Sequence, residues 1–137
     1  MSDTSNADIL REAMARWDAC KGSDLDMWDD YTTEDVRIQS LGEGNYGIAF
    51  SSARDGQQQL HDYLKELTDT FEMEHWTLQE TVSEGDRVIG IGTTAWTFKG
   101  TGKRVETNIV VVCRFRDGKI CALHEFYDTA AVAEVTH

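Results

Sequence analysis

The stretch Thr107–Val132, TNIVVVCRFRDGKICALHEFYDTAAV, decides how this chain folds. It reads as two strands joined by a tight turn and running into a short closing helix. Asp117-Gly118 is a hairpin signal, because both residue types accept the left-handed backbone of a tight reversal. Ile109 to Cys113 is apolar at every position, which predicts an arm buried on both faces. The second arm sets one carboxylate, Glu125, among apolar neighbours. If Gly118 closes a three-residue loop, odd positions of one arm meet odd positions of the other. Ile109, Val111 and Cys113 then share a face with Leu123, Glu125 and Tyr127. Val110, Val112, Ala122, His124 and Phe126 take the opposite face. Nothing else in the sequence is expected to cover that second face, so a second copy is, and a homodimer through the sheet follows as an expectation.

Working outward, 137 residues suffice for one domain spanning 1–137, with about two-thirds of the unfolded surface buried. Acidic residues outnumber basic ones by 25 to 13, a net charge of -12. That balance disfavours nucleic acid and anionic membranes as partners and otherwise serves solubility. Cys20, Cys113 and Cys121 form no CxxC motif, which suits reduced thiols and a cytoplasmic location. The opening MSDTSNAD is polar and acidic, unlike a secretory leader, and no apolar run is long enough to cross a bilayer. Proline is absent, so turns depend on Gly, Asp, Asn and Ser.

Upstream of the hairpin, Ile9, Leu10, Ala13, Met14, Trp17 and Cys20 fall on one helical face, with Ser5 and Asp8 at capping spacing and Gly22 as the stop. Ser23-x-x-Asp26 repeats the cap pattern and predicts a second short helix carrying Leu25, Trp28 and Tyr31. Val36, Ile38 and Ser40 alternate with Arg37 and Gln39 as a first strand with one wet face. A Gly-rich loop, Gly42–Gly47, precedes a third helix over Ser52–Thr70. The period then changes to two: Phe71–Thr81, Arg87–Phe98, Val105–Arg116 and Lys119–Tyr127 read as a meander, closed by a helix over Thr129–Val135. Helices first and antiparallel strands afterwards define an α+β class.

Several motifs lose their meaning in context. Gly42-Glu43-Gly44-Asn45-Tyr46-Gly47 matches GxGxxG, but the preceding strand alternates and Ile48-Ala49-Phe50 separates it from any helix, so no dinucleotide cofactor is expected. The better reading is a loop over a pocket mouth, with Tyr46 as a hydrogen-bonding ligand contact. His61, His75, His124 and His137 lack metal-ligand spacing, and no metal is expected. There is no GxSxG, and Cys113 reads as a small core residue facing the pocket. Trp17, where a helix meets the sheet, is a candidate pocket wall. Glu125 is the sharpest candidate: burial among apolar groups raises a carboxyl's pKa toward neutrality, where it can act as acid or base. Asp128 reads as the cap of the last helix.

Arg114-Phe115-Arg116-Asp117-Gly118-Lys119-Ile120 followed by Glu125-Phe126-Tyr127-Asp128-Thr129-Ala130-Ala131-Val132 resembles the ending of SnoaL-like proteins, within the nuclear transport factor 2-like (NTF2-like, cystatin-like) superfamily. The resemblance covers nearly the whole chain. It implies a cone-shaped, curved antiparallel sheet wrapped by N-terminal helices, an interior ligand pocket and commonly a dimer. Ketosteroid isomerase, limonene epoxide hydrolase and polyketide cyclases share that superfamily. The isomerase's phenol and two carboxyl positions fall on Trp17, Ser40 and Val111, none of which can do the work. The epoxide hydrolase's Arg and two Asp positions fall on Arg87, Ile89 and Glu125. The cyclase's His and Asp positions fall on Val111 and Glu125. Two families therefore place an acid at Glu125, and each loses its other partner here.

The resulting expectation is a small hydrophobic ligand, polycyclic or carbonyl-containing, held by Trp17, Ile38, Ser40, Tyr46, Arg87, Ile109, Val111, Cys113, Leu123 and Tyr127, with Glu125 as acid/base. A non-catalytic small-molecule-binding dimer and an interaction domain working through its sheet face stay open beside it.

Overall fold

The computed structural model describes residues 5–40 and 54–137. Helix α1 (Asn6–Cys20) starts where Ser5 Oγ accepts a hydrogen bond from the Asp8 amide at 3.1 Å, satisfying one otherwise orphaned donor. It stops at Lys21, whose φ of 50° breaks the helical path. Its inward face, Ala7, Leu10, Ala13, Met14 and Trp17, is buried. The expected second helix is a 3-10 segment, Leu25–Asp30, that begins at Asp24 without a side-chain cap. Over six residues the tighter winding suffices to turn Met27 and Trp28 into the core.

Strand β1 (Thr32–Ser40) and the short β2 (Arg54–Asp55) precede helix α2 (Gln57–Thr70). Of the expected helix over Ser52–Thr70, residues 52–53 lie outside the described residues. Arg54 and Asp55 pair with β1 instead, and the helix begins only after Gly56, at φ 87°. Strands β3 (Phe71–Glu84), β4 (Arg87–Phe98), β5 (Arg104–Arg116) and β6 (Lys119–Tyr127) form the expected meander, and α3 (Thr129–Val135) closes it. Asp128 caps α3, accepting from the Ala131 amide at 3.0 Å.

The sheet order is β2-β1-β6-β5-β4-β3. The pairing is not antiparallel throughout: β1 lies parallel to β6. Distant in sequence, these two strands are not bound to the hairpin geometry that makes sequence neighbours antiparallel. Two register shifts in β3, between Met73 and His75 and between Leu78 and Glu80, bend the sheet. They also move the inward set from Phe71 and Met73 to Trp76 and Leu78. Across from the second shift, a Cβ on Gly92 would stand 2.0 Å from the Thr77 carbonyl oxygen, so only glycine fits. The result is an α+β cone: a curved sheet with α1, α2 and α3 packed over its concave side.

The β5–β6 hairpin reaches the expected register by an unexpected route. Asp117 (φ 52°) and Gly118 (φ 77°) are both left-handed and form a two-residue turn, with Arg116 paired to Lys119 and Phe115 to Ile120. Continued unbroken, that pairing would set Val111 opposite His124. Instead Cys121 is bulged out, Arg114 pairs with Ala122, and Val111 faces Glu125. Leu123, Glu125 and Tyr127 are thereby turned inward. Val110, Val112, Ala122, His124 and Phe126 share the outer face, where the His124 and Phe126 rings lie 4.2 Å apart.

Candidate functional site

The interior of the cone holds a cavity of about 110 Å³. Its wall is mostly apolar, because each element delivers its buried stripe to the same place. Helix α1 supplies Trp17, β1 supplies Ile38, β5 supplies Ile109 and Val111, and β6 supplies Leu123. Glu125 and Tyr127 line it from the last strand. The volume is below the ~150 Å³ of an apolar cavity that takes benzene, so the space bounded by the described residues suits a small ligand.

Polar groups gather at one place on this wall. Tyr63 of α2 donates its hydroxyl to Glu125 Oε1 at 3.2 Å. Ser40, at the end of β1, hydrogen-bonds both Tyr127 and Tyr63. Burial pushes the Glu125 carboxyl up to about 7, against the smaller opposing pull of the Tyr63 hydrogen bond. Burial, and then the neighbouring Glu125 carboxylate, hold the Tyr63 phenol well above its ordinary value. Two threonines also reach the cavity, but their hydroxyls are engaged in the scaffold. Thr94 Oγ1 donates to the His75 carbonyl and accepts from Trp96 Nε1. Thr107 Oγ1 donates to the Asn108 carbonyl and accepts from the Asp128 amide. Proton chemistry at this site therefore falls to the Glu125–Tyr63–Ser40–Tyr127 cluster.

Three sequence expectations need revision. Ser40 is 1% exposed and acts behind the wall, positioning Tyr127, instead of lining the cavity. Cys113 is fully buried beneath the wall, and burial together with Glu125 raises its thiol to about 12, so it presents no thiolate. Arg87 is exposed on the opposite face of the sheet, because Val88 is the inward residue and β4 alternates from there. Ile89 shares that outer side, so the pair expected from the epoxide-hydrolase comparison points away from the cavity. Tyr46 and the Gly42–Gly47 loop lie outside the described residues.

Tyr63 is the residue sequence reasoning missed. Its place on the apolar side of α2, beside Leu60 and Leu64, makes it look like core packing. A phenol at a buried helical position facing a strand with one carboxylate was the available signal, since a buried hydroxyl needs a partner. Histidine spacing likewise gave no sign that Asp26, Asp29 and His61 would meet, with ligand atoms within 4.8 Å of one another. His61 Nε2 lies 2.9 Å from Asp29 and ties α2 to the 3-10 segment. Both carboxylates are exposed and outside the cavity wall.

The sequence profile described as the SnoaL-like domain matches residues 11–123. The chain therefore belongs to the SnoaL-like family, within the NTF2-like superfamily that its cone defines. No curated protein matches it. Among solved structures it is similar to an NTF2-like protein from Burkholderia xenovorans LB400, with 24% identity over 100% of this chain and 99% of that one and a TM-score of 0.80. It is also similar to TerC, co-crystallised with polyporic acid, with 22% identity over 95% and 96% of the two chains and a TM-score of 0.78. A third likeness is to a protein of ketosteroid isomerase-like fold from Catenulispora acidiphila DSM 44928, in complex with trimethylamine. The identity there is 16% over 90% and 91% of the chains, with a TM-score of 0.74.

Proposed function

We propose that this protein is a small-molecule enzyme of the SnoaL-like polyketide cyclase, isomerase and hydrolase group. Glu125 moves a proton on a small, mostly apolar, carbonyl-containing ligand. The observation that carries this reading is the Glu125 carboxyl, tuned to about 7 by burial in an apolar cavity and held by the Tyr63 hydroxyl. A carboxyl near neutrality is present in both protonation states at working pH, as a group that takes and returns a proton must be. Two structural neighbours hold small organic molecules, which supports an interior that receives ligands. In a screen of small ketones and enones for proton exchange or rearrangement, a Glu125→Gln variant should lose at least about a hundredfold in turnover. Unchanged turnover would remove Glu125 from the mechanism.

One observation favours a second reading, a non-catalytic binding domain. Val111 faces Glu125 in the register, where the families discussed above place a second functional group. Ligands that bind in the cavity without any turnover would establish that reading.

The reading extends to assembly and location. The outer face formed by Val110, Val112, Ala122, His124 and Phe126 is apolar enough for a second copy to cover it, giving a homodimer. Cys20, Cys113 and Cys121 are unpaired, which supports a reducing, cytoplasmic location. Among the described residues, no helix is long and apolar enough to cross a membrane.

A further inference from the structure

All four tryptophans of the chain, Trp17, Trp28, Trp76 and Trp96, line the same cavity. They come from α1, the 3-10 segment, β3 and β4, and none is more than 8% exposed. Tyr63 and Tyr127 add two phenol rings to that wall. A cavity meant only to be apolar could be lined by aliphatic side chains. Trp17 and Trp28 meet edge to face, with centroids 5.7 Å apart. Aromatic faces carry negative potential, and indole carries the most, so several rings around one small space attract a cation.

The charged groups point the same way. Among the described residues that line the cavity there is no Lys, Arg or His, and the sole carboxylate is Glu125. An anionic ligand would meet a second negative charge in a low-dielectric space with nothing to neutralise it, at a prohibitive cost. A cation would meet aromatic rings and a counter-ion. The chain's net charge of -12 also concentrates cations around the molecule.

We infer that the cavity selects small organic cations, alkylammonium or quaternary ammonium compounds, with Glu125 as counter-ion and the tryptophans as the cage. The inference rests on the cavity being the ligand site and adds an ammonium group to the small carbonyl-containing ligand proposed above. The groups facing Glu125 are Tyr63 from α2, Ser40 from β1, Tyr127 from β6 and Cys113 from β5. Tyr63 and Cys113 both hold their protons at neutral pH, so the charge opposite the ligand is that of Glu125. Binding should tighten as pH rises from about 6 to about 8, while Glu125 ionises.

The test compares tetramethylammonium with tert-butanol, a neutral molecule of nearly the same size and shape, both within the volume of the cavity. Calorimetry measures affinity. Tryptophan fluorescence reports occupancy directly, because every tryptophan lies on the wall. The expected result is binding of tetramethylammonium at least about tenfold tighter than the neutral alcohol. Most of that preference should be gone in Glu125→Gln. Equal or tighter binding of the alcohol would overturn the cation assignment and leave the cavity standing as an apolar ligand site. Failure of both probes to bind would overturn the cation assignment and the cavity as a ligand site together.

Discussion

Glu125 sits in a position that weakens the fold in order to hold a tunable proton. Its carboxyl is at about 7 in the folded chain, against an ordinary value of 4.5. Between those values the folded state binds the proton more tightly than the unfolded state, so stability falls as pH rises through that window. Below about 4.5 both states are protonated and there is no penalty; above about 7 the penalty is complete, at roughly 3 kcal/mol. Glu125→Gln keeps the shape and an acceptor for Tyr63. It should therefore be more stable than the natural protein by roughly 2–3 kcal/mol above pH 7, with the difference shrinking to nothing below about pH 4.5. Thermal unfolding of both proteins across that range is the measurement. Tyr63→Phe should do the opposite to the carboxyl: losing a bond to the charged form raises the Glu125 titration by about one unit, which NMR titration of the carboxyl would show. Glu125 could be found in the sequence because a lone acid in an apolar strand is anomalous. Tyr63 stood out less, because a tyrosine on an apolar helix face has an ordinary explanation in packing and only the need of a buried hydroxyl for a partner marks it.

At the scale of elements, two backbone irregularities place the site. The bulge at Cys121 sets the inward register of the last strand. Substituting the side chain leaves that backbone in place, so Cys121→Ala should change stability by no more than about 0.5 kcal/mol. Deleting Cys121 removes the bulge but keeps Arg114 opposite Ala122 and Val111 opposite Glu125, so Glu125 stays inside and the variant should keep a cooperative thermal unfolding transition. The bend of β3 over β4 needs Gly92, since a methyl group there meets the Thr77 carbonyl at 2.0 Å. Gly92→Ala should cost about 1–3 kcal/mol, readable as a lowered denaturation midpoint. Strand periods and caps were legible: Ser5, Gly22 and Asp128 stand where the helix boundaries fall. Bulges were not, because no residue type marks a bulge as reliably as Asp-Gly marks a turn.

For the whole molecule, the proposed dimer and the proposed pocket share one hairpin, facing opposite ways. Phe126 is 37% exposed on the outer face, with its ring 4.2 Å from that of His124. If a second copy covers this face, light scattering should give twice the chain mass at micromolar concentration, and Phe126→Lys should reduce it to one chain by placing charges at the contact. A single-chain mass for the natural protein would remove the dimer. The epoxide-hydrolase comparison failed at this scale. Arg87 and Ile89 have the required spacing in the sequence, but sheet alternation turns both to the outer side.

The sequence by itself determined the order of the main helices and strands and the single acid worth attention, while the inward set of the hairpin depended on the bulge at Cys121. The order and the acid depend on local period, turn chemistry and one anomalous residue, all of which are written along the chain. Only the tertiary structure decided that Tyr63 holds Glu125, that Ser40 and Cys113 stand behind the wall, that β1 runs parallel to β6, and that four tryptophans from four elements surround one small cavity. Each of those facts joins residues far apart in sequence, and it is the curvature of the sheet, set by bulges and Gly92, that brings them together.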